Sequence, residues 1–240
     1  MKVQDNVLFV KGQDEFIPDA NVYVIGDPSS RDLSLVDAGL TGKGEYKTRA
    51  VQDLGVELSH VRRIIMTHTH FDHIGCLREI LNMLPEAELW VHANEAEPLE
   101  RGDERTVYGM EMLQSMCQSQ FGMEPGAFSF KVDRKLQGGE ILEIGGMSWQ
   151  VLHVPGHSAG SIALYQSEDR ILIPGDVIYA DYAIGRFDLH LANGRELKGS
   201  LESLAELDVK KLLPGHNRIV TDLEKGYIRK TVKQWEPFLV

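Results

Sequence analysis

The sequence predicts one α/β domain, and three observations carry that reading. Apolar runs rich in β-branched residues alternate along the chain with segments of helical periodicity. Most of these runs close on Gly, Asp or Pro, residues that turn a strand out of its sheet. No Pro/Ser-rich linker, low-complexity tract or short-period repeat interrupts the 240 residues, so residues 1–240 are read as a single domain.

Taken in order, VLFVK, NVYVIG and LSLVDAG are the first strands, and residues 43–54 follow as a helix. VRRIIMT is the next strand. Residues 73–84 form an amphipathic helix, with Ile74, Leu77, Ile80, Leu81 and Leu84 at helical spacing and Asp72 at the N-cap position. ELWVHA returns as a strand, and residues 94–126 read as a polar, methionine-bearing helical stretch. Hairpin-like strands come next: KVDRKL, the turn QGGE, EILEI, the turn GG, then MSWQVLHV. SIALYQ and RILIPGD are two more strands. A helix over residues 196–207, the strand KKLLPGH and a last helix from Asp222 complete the chain.

Composition limits the function. Hydrophobic content of 42% with 25% charged residues suits a globular protein. No apolar run approaches membrane-span length. The N-terminal stretch MKVQDNVLFVKGQDEF carries charges through its apolar patch and reads as mature protein rather than a signal peptide. A net charge of −11 with no Lys/Arg cluster argues against nucleic acid as a partner. Cys76 and Cys117 lack CxxC spacing, read as small core residues, and suit a reducing cytoplasm.

One loop departs from packing logic. In MTHTHFDHIG three histidines and an aspartate fall within six residues. Residues two apart on extended chain face the same side, so His68 and His70 can point at one ion. Asp72 and His73 follow as the chain turns into a helix and aim at a neighbouring position. Imidazole with carboxylate suits Zn²⁺, with iron and manganese as alternatives. Further ligands stand at strand ends: His157 in VPGHSAGS, Asp176 in ILIPGDVIY and His216 in KLLPGHN. The assignment is His68, His70 and His157 to one ion, Asp72, His73 and His216 to a second, and Asp176 bridging both. His60, His92, His153 and His190 lack such context and read as surface or structural residues.

The pattern HxHxDH, then GHSAGS, PGD and PGH, resembles the metallo-β-lactamase superfamily, from about residue 21 to residue 222. That resemblance implies an αββα sandwich: two mixed β-sheets packed face to face, helices outside, metals at one sheet edge. The ligand set is similar to the glyoxalase II and lactonase branches, and the aspartate bridge speaks against antibiotic hydrolysis. GHSAGS replaces the more usual GHTPGS without touching His157, and IGRFDL is similar to a segment near the glyoxalase II site. Only residues 217–240 follow the last ligand, so no helical glutathione-gripping domain, and no glutathione-specific dependence, is expected.

The implied chemistry is hydrolysis of a thioester-type or related acyl carbonyl of a small molecule, by water acidified between two zinc ions. Asp72 would orient that water and accept its proton. Tyr179, three residues after Asp176, resembles a tyrosine that lactonases place near the substrate carbonyl; its other reading is packing. Asp37 reads either as a hydrogen-bond partner for a ligand histidine or as a strand-ending turn residue. Met110, Met112, Met116 and Met123 either pack on the core or line an apolar acyl site. Lactone hydrolysis on the same site is the alternative, and a mono-iron sulfur dioxygenase is the rival of another class.

Overall fold

The structure is a computed structural model that describes residues 1–13 and 17–240; residues 14–16, the end of the N-terminal stretch read as mature protein, lie outside the described residues. The first sheet opens with β1 (Lys2–Gln4), β2 (Val7–Val10), β3 (Val22–Ile25) and β4 (Leu33–Val36), each antiparallel to the last. Helix α1 (Gly44–Asp53) crosses to β5 (Val61–Ile65), which lies parallel to β4. Short helices α2 (Phe71–Ile74) and α3 (Leu77–Met83) lead to β6 (Glu88–His92), parallel to β5. Then α4 (Ala93–Glu100), α5 (Arg105–Tyr108) and α6 (Glu111–Phe121) lead to β7 (Arg134–Leu136), parallel to β6.

The second sheet is built from β8 (Ile141–Ile144), β9 (Met147–His153), β10 (Ile162–Gln166) and β11 (Ile171–Ile173), all antiparallel to their predecessors. Helix α7 (Gly194–Leu204) returns the chain to β12 (Lys211–Leu212), parallel to β11, and α8 (Tyr227–Trp235) follows. Both sheets are therefore mixed, with strand orders β1 to β7 and β12-β11-β10-β9-β8.

Strand periodicity makes the layers. Along β3, Val22 and Val24 pack into the cluster beneath α1 and α3, while Tyr23 and Ile25 point into the cluster between the sheets. That middle cluster also takes Val36, Ile65 and Trp90 from the first sheet and Trp149, Val151 and Leu164 from the second. A third cluster joins the outer face of the second sheet, through Ala163, Tyr165 and Leu172, to α7 and α8. Three apolar seams between four layers give the αββα sandwich that the family resemblance implied.

Several elements differ from the sequence reading. The helix expected over 73–84 is two helices, because the backbone leaves helical dihedrals at Cys76 (φ −100°, ψ 15°), whose N–H donates to Gly39 O at 3.0 Å instead of to the carbonyl one turn back. Its start is also earlier. The backbone is still extended at His70 (φ −64°, ψ 152°), which is the N-cap, so Asp72 lies in the first turn with its carboxylate free of capping duty. The 94–126 stretch is three helices, broken by the left-handed glycines Gly102 and Gly109. QGGE is no hairpin turn, since β7 and β8 belong to different sheets. The Glu140 carboxylate accepts Gln137 N and Gly138 N, each at 2.7 Å, and turns the chain from one sheet to the other. The Gly145–Gly146 turn, with φ of 54° and 83°, is a true hairpin. The last helix begins at Tyr227 rather than Asp222.

Candidate metal centre

Every predicted ligand lies in the segment that follows a strand, on a loop or, for Asp72 and His73, in the first turn of α2, and the two sheets bring these segments to one edge of the sandwich. After β5 the chain runs extended through His68 and His70 and then winds into α2 with Asp72 and His73. His157 follows β9 through Val154, Pro155 and Gly156, which holds φ 127° with Leu197 backbone packed where a Cβ would be. Asp176 follows β11, and His216 follows β12. These last two turns are tied by a Gly215 N to Gly175 O hydrogen bond of 2.9 Å. The first sheet braces them too: Tyr23 Oη and Asn21 Nδ2 donate to Pro214 O at 2.6 and 3.0 Å.

The seven side chains meet as two groups. His68, His70 and His157 offer one set of ligand atoms, and Asp72, His73, Asp176 and His216 another, each set lying within 4.8 Å. In the first, His157 Nε2 stands 2.9 Å from His70 Nδ1 and 3.2 Å from His68 Nε2. A tetrahedral ion with bonds near 2.0–2.1 Å spaces its ligands about 3.3 Å apart, so this trio fits one. In the second, His216 Nε2 lies 3.1 Å from His73 Nε2 and 3.0 Å from Asp72 Oδ2. Asp176 reaches both groups: Oδ1 is 3.2 Å from His73 Nε2, while Oδ2 is 3.4 Å from His216 Nε2 and 3.8 Å from His157 Nε2.

Three of the five imidazoles are braced from behind. His73 Nδ1 meets Asp37 Oδ2 at 2.9 Å, His157 Nδ1 meets Arg186 O at 2.7 Å, and His68 Nδ1 meets Thr67 Oγ1 at 3.1 Å. Asp37 is thus a partner of a candidate ligand, and it also accepts Thr67 N and Oγ1 at 2.7 and 2.8 Å. It holds this position at φ 63°, a left-handed conformation unusual for a residue with a Cβ.

Electrostatics divide the two groups. Burial and the neighbouring histidines push His68 well below its ordinary pKa and His70 down to about 3, so these rings are neutral with lone pairs available. The second group is rich in carboxylates. Burial disfavours the charge on His216, but Asp176 and Asp72 outweigh it and lift the ring to about 10. His73 is raised likewise by Asp176 and Asp37. Burial raises Asp72 while the His216 hydrogen bond and the histidine charges lower it further, to about 2. The carboxylates of this group therefore favour positive charge, which a bound cation would also supply.

The centre forms the floor of a cavity of about 410 Å³. Phe71, Val107, Tyr108, Leu113, Met116 and Leu189 make an apolar wall above it. Tyr179 also lines the cavity, its ring centroid 6.3 Å from that of His216. Burial and the Asp176 carboxylate that it faces hold the Tyr179 phenol protonated. Of the four methionines, Met116 lines the cavity, Met123 packs on the core, Met112 is exposed and Met110 is the N-cap of α6. Both cysteines are buried; Cys117 reaches the cavity wall, but burial and Asp72 push its thiol up to about 11. His92 and His153 stack on each other at 4.1 Å, and His60 lies 3.9 Å from Glu57. The sequence reading missed Glu95, Asn21 and Tyr23, whose partners lie far away in the chain and leave no local spacing to detect.

A two-sheet sandwich with paired His/Asp groups at one edge defines the class as a fold that presents metal-ligand side chains at a sheet edge. A sequence profile of the metallo-beta-lactamase superfamily matches residues 18–216, and the chain belongs to that superfamily. The acyl-coenzyme A thioesterase MBLAC2 of Homo sapiens is 31% identical over 217 residues, covering 82% of this chain and 72% of the relative. Hydroxyacylglutathione hydrolase GloC of Haemophilus influenzae is 28% identical over 201 residues, covering 83% and 82%. Among solved structures, TTHA1623 in a di-iron-bound form superposes with a TM-score of 0.69 at 25% identity, over 93% of this chain and 98% of that one.

Proposed function

We propose that the protein is a dinuclear zinc hydrolase that cleaves thioester-type acyl compounds. The observation that carries this reading is two ligand groups, joined through Asp176, on the floor of a cavity with one apolar wall. When bound, the ions would acidify a water and polarise an acyl carbonyl. Asp72, its side chain 23% exposed at the cavity floor, would orient that water and receive its proton. Asp37 fixes the His73 ring, and the apolar wall would hold the acyl chain and exclude bulk water.

The thioesterase MBLAC2 and the hydroxyacylglutathione hydrolase GloC support acyl compounds as substrates, and the di-iron form of TTHA1623 supports two metals while leaving iron open beside zinc. The same reading gives a small acyl molecule as the partner. The buried free thiols favour a cytoplasmic setting, and among the described residues no helix is long and apolar enough to cross a membrane. Lactone hydrolysis is the second reading, favoured by the protonated Tyr179 phenol in the cavity. Metal-analysed protein assayed against thioesters, lactones, phosphodiesters and a β-lactam decides between them. Thioesters should be turned over fastest; dominant lactone turnover would favour the second reading, and activity confined to phosphodiesters would remove both.

A further inference from the structure

Glu95 lies in the first turn of α4 and is 1% exposed. Its carboxylate is shared between two distant loops. Oε2 accepts Thr69 N at 2.6 Å and Thr69 Oγ1 at 2.7 Å, whereas Oε1 accepts Ser158 Oγ and, at 3.0 Å, Gly160 N. Thr69 separates His68 from His70, and Ser158 follows His157. One buried carboxylate therefore holds both backbone segments that carry the all-histidine group. Asp37 plays the matching part on the other side, through Thr67 and His73.

We propose that Glu95 is a positioning residue that sets the geometry of the His68–His70–His157 subsite and so tunes metal affinity there, separately from the carboxylate-rich subsite. The inference rests on the reading of these clusters as metal sites. Its physical basis is the acceptor-only character of a carboxylate. Each Glu95 oxygen takes a backbone N–H from a different loop, so an amide must oppose one of those two donors with its own N–H groups. One loop then moves, and the imidazole nitrogens lose the spacing that suits a tetrahedral ion. Partners of this kind are worth roughly 10- to 100-fold in metal affinity.

The test is zinc titration against a chromophoric chelator, with thermal melts of the metal-free proteins, on the unchanged chain, Glu95→Gln and Glu104→Gln. Glu104 is a matched control: it is 8% exposed and accepts Gly126 N and Phe128 N, in a loop without candidate ligands. In Glu95→Gln one of the two dissociation constants should rise roughly 10- to 100-fold while the other holds, and Glu104→Gln should leave both in place. Two unchanged constants in Glu95→Gln, with only a lower melting temperature, would overturn the proposal. So would an equal rise in both. A failure of the unchanged chain to bind zinc would instead overturn the metal reading, and this proposal with it. Should Glu95→Gln not fold, Ser158→Ala removes one donor from the same carboxylate: a rise in the same single constant supports the proposal, and no change counts against it.

Discussion

At the scale of single residues, Asp176 has the most exposed role. Its oxygens face His73, His216 and His157 at 3.2, 3.4 and 3.8 Å, so it touches both groups. Asp176→Ala should lose metal from both subsites and abolish turnover, while circular dichroism shows the fold intact; retained activity would remove Asp176 from the site. Tyr179 separates the two hydrolase readings. A phenol that donates only in the transition state lowers kcat more than it raises KM when removed. Tyr179→Phe should cost ~100-fold in kcat on a lactone or ester, the usual loss for one oxyanion donor. A thioester should lose less, because a thiolate leaves more easily than an alkoxide. Steady-state kinetics on both substrate types check this, and unchanged turnover of each would make Tyr179 a packing residue.

At the scale of elements, the loops matter more than the strands that deliver them. All seven candidate ligands were legible because each polar residue interrupts an apolar run at a strand end, and HxHxDH concentrates four of them in six residues. Strands were legible as continuous apolar, β-branched runs such as VYVI of β3, whose four residues are all buried because both faces of the sheet are covered. What was hidden depended on distant contacts. The helix breaks at Cys76 because its N–H bonds Gly39 O, far back in the chain, and QGGE crosses between sheets because β7 pairs with β6, forty residues earlier in the chain or more. Glu95 reads in the sequence as an ordinary first-turn helix residue, since its partners are 26 to 65 positions away. Gly215 shows how little room these loops leave. A Cβ there would lie 2.2 Å from Asp176 Oδ1 and 2.7 Å from His73 Cε1. Gly215→Ala should therefore displace the second group and lose its metal, read by metal analysis, with the first group less affected. Full occupancy of both subsites in that variant would show that the turn can yield.

At the scale of the whole molecule, the centre couples stability to pH. His216 is raised from 6.5 to about 10, so in the metal-free chain its contribution is complete below pH 6.5 and is lost as pH rises towards 10. Asp72 is lowered from 3.8 to about 2, so its contribution is present above pH 3.8 and is lost as pH falls through 2. His216 owes its rise first to Asp176 and then to Asp72, so its contribution and that of Asp72 overlap in the contact they share. Melting temperatures of chelator-stripped protein should form a plateau between these limits and decline on either side. Metal loading should flatten the alkaline decline, because cations then replace the protons. A metal-free melting temperature that climbs from pH 6.5 to 10 would contradict this account.

The proposed function rests on a paired metal centre shared between the two sheets. Anomalous diffraction at the zinc edge, from crystals of the zinc-loaded and active protein, tests it most directly. Two peaks per chain are expected: one among His68, His70 and His157, the other among Asp72, His73 and His216, with Asp176 touching both. A single peak held by His68, His70 and His157, with Asp72 and His73 turned away, would contradict it.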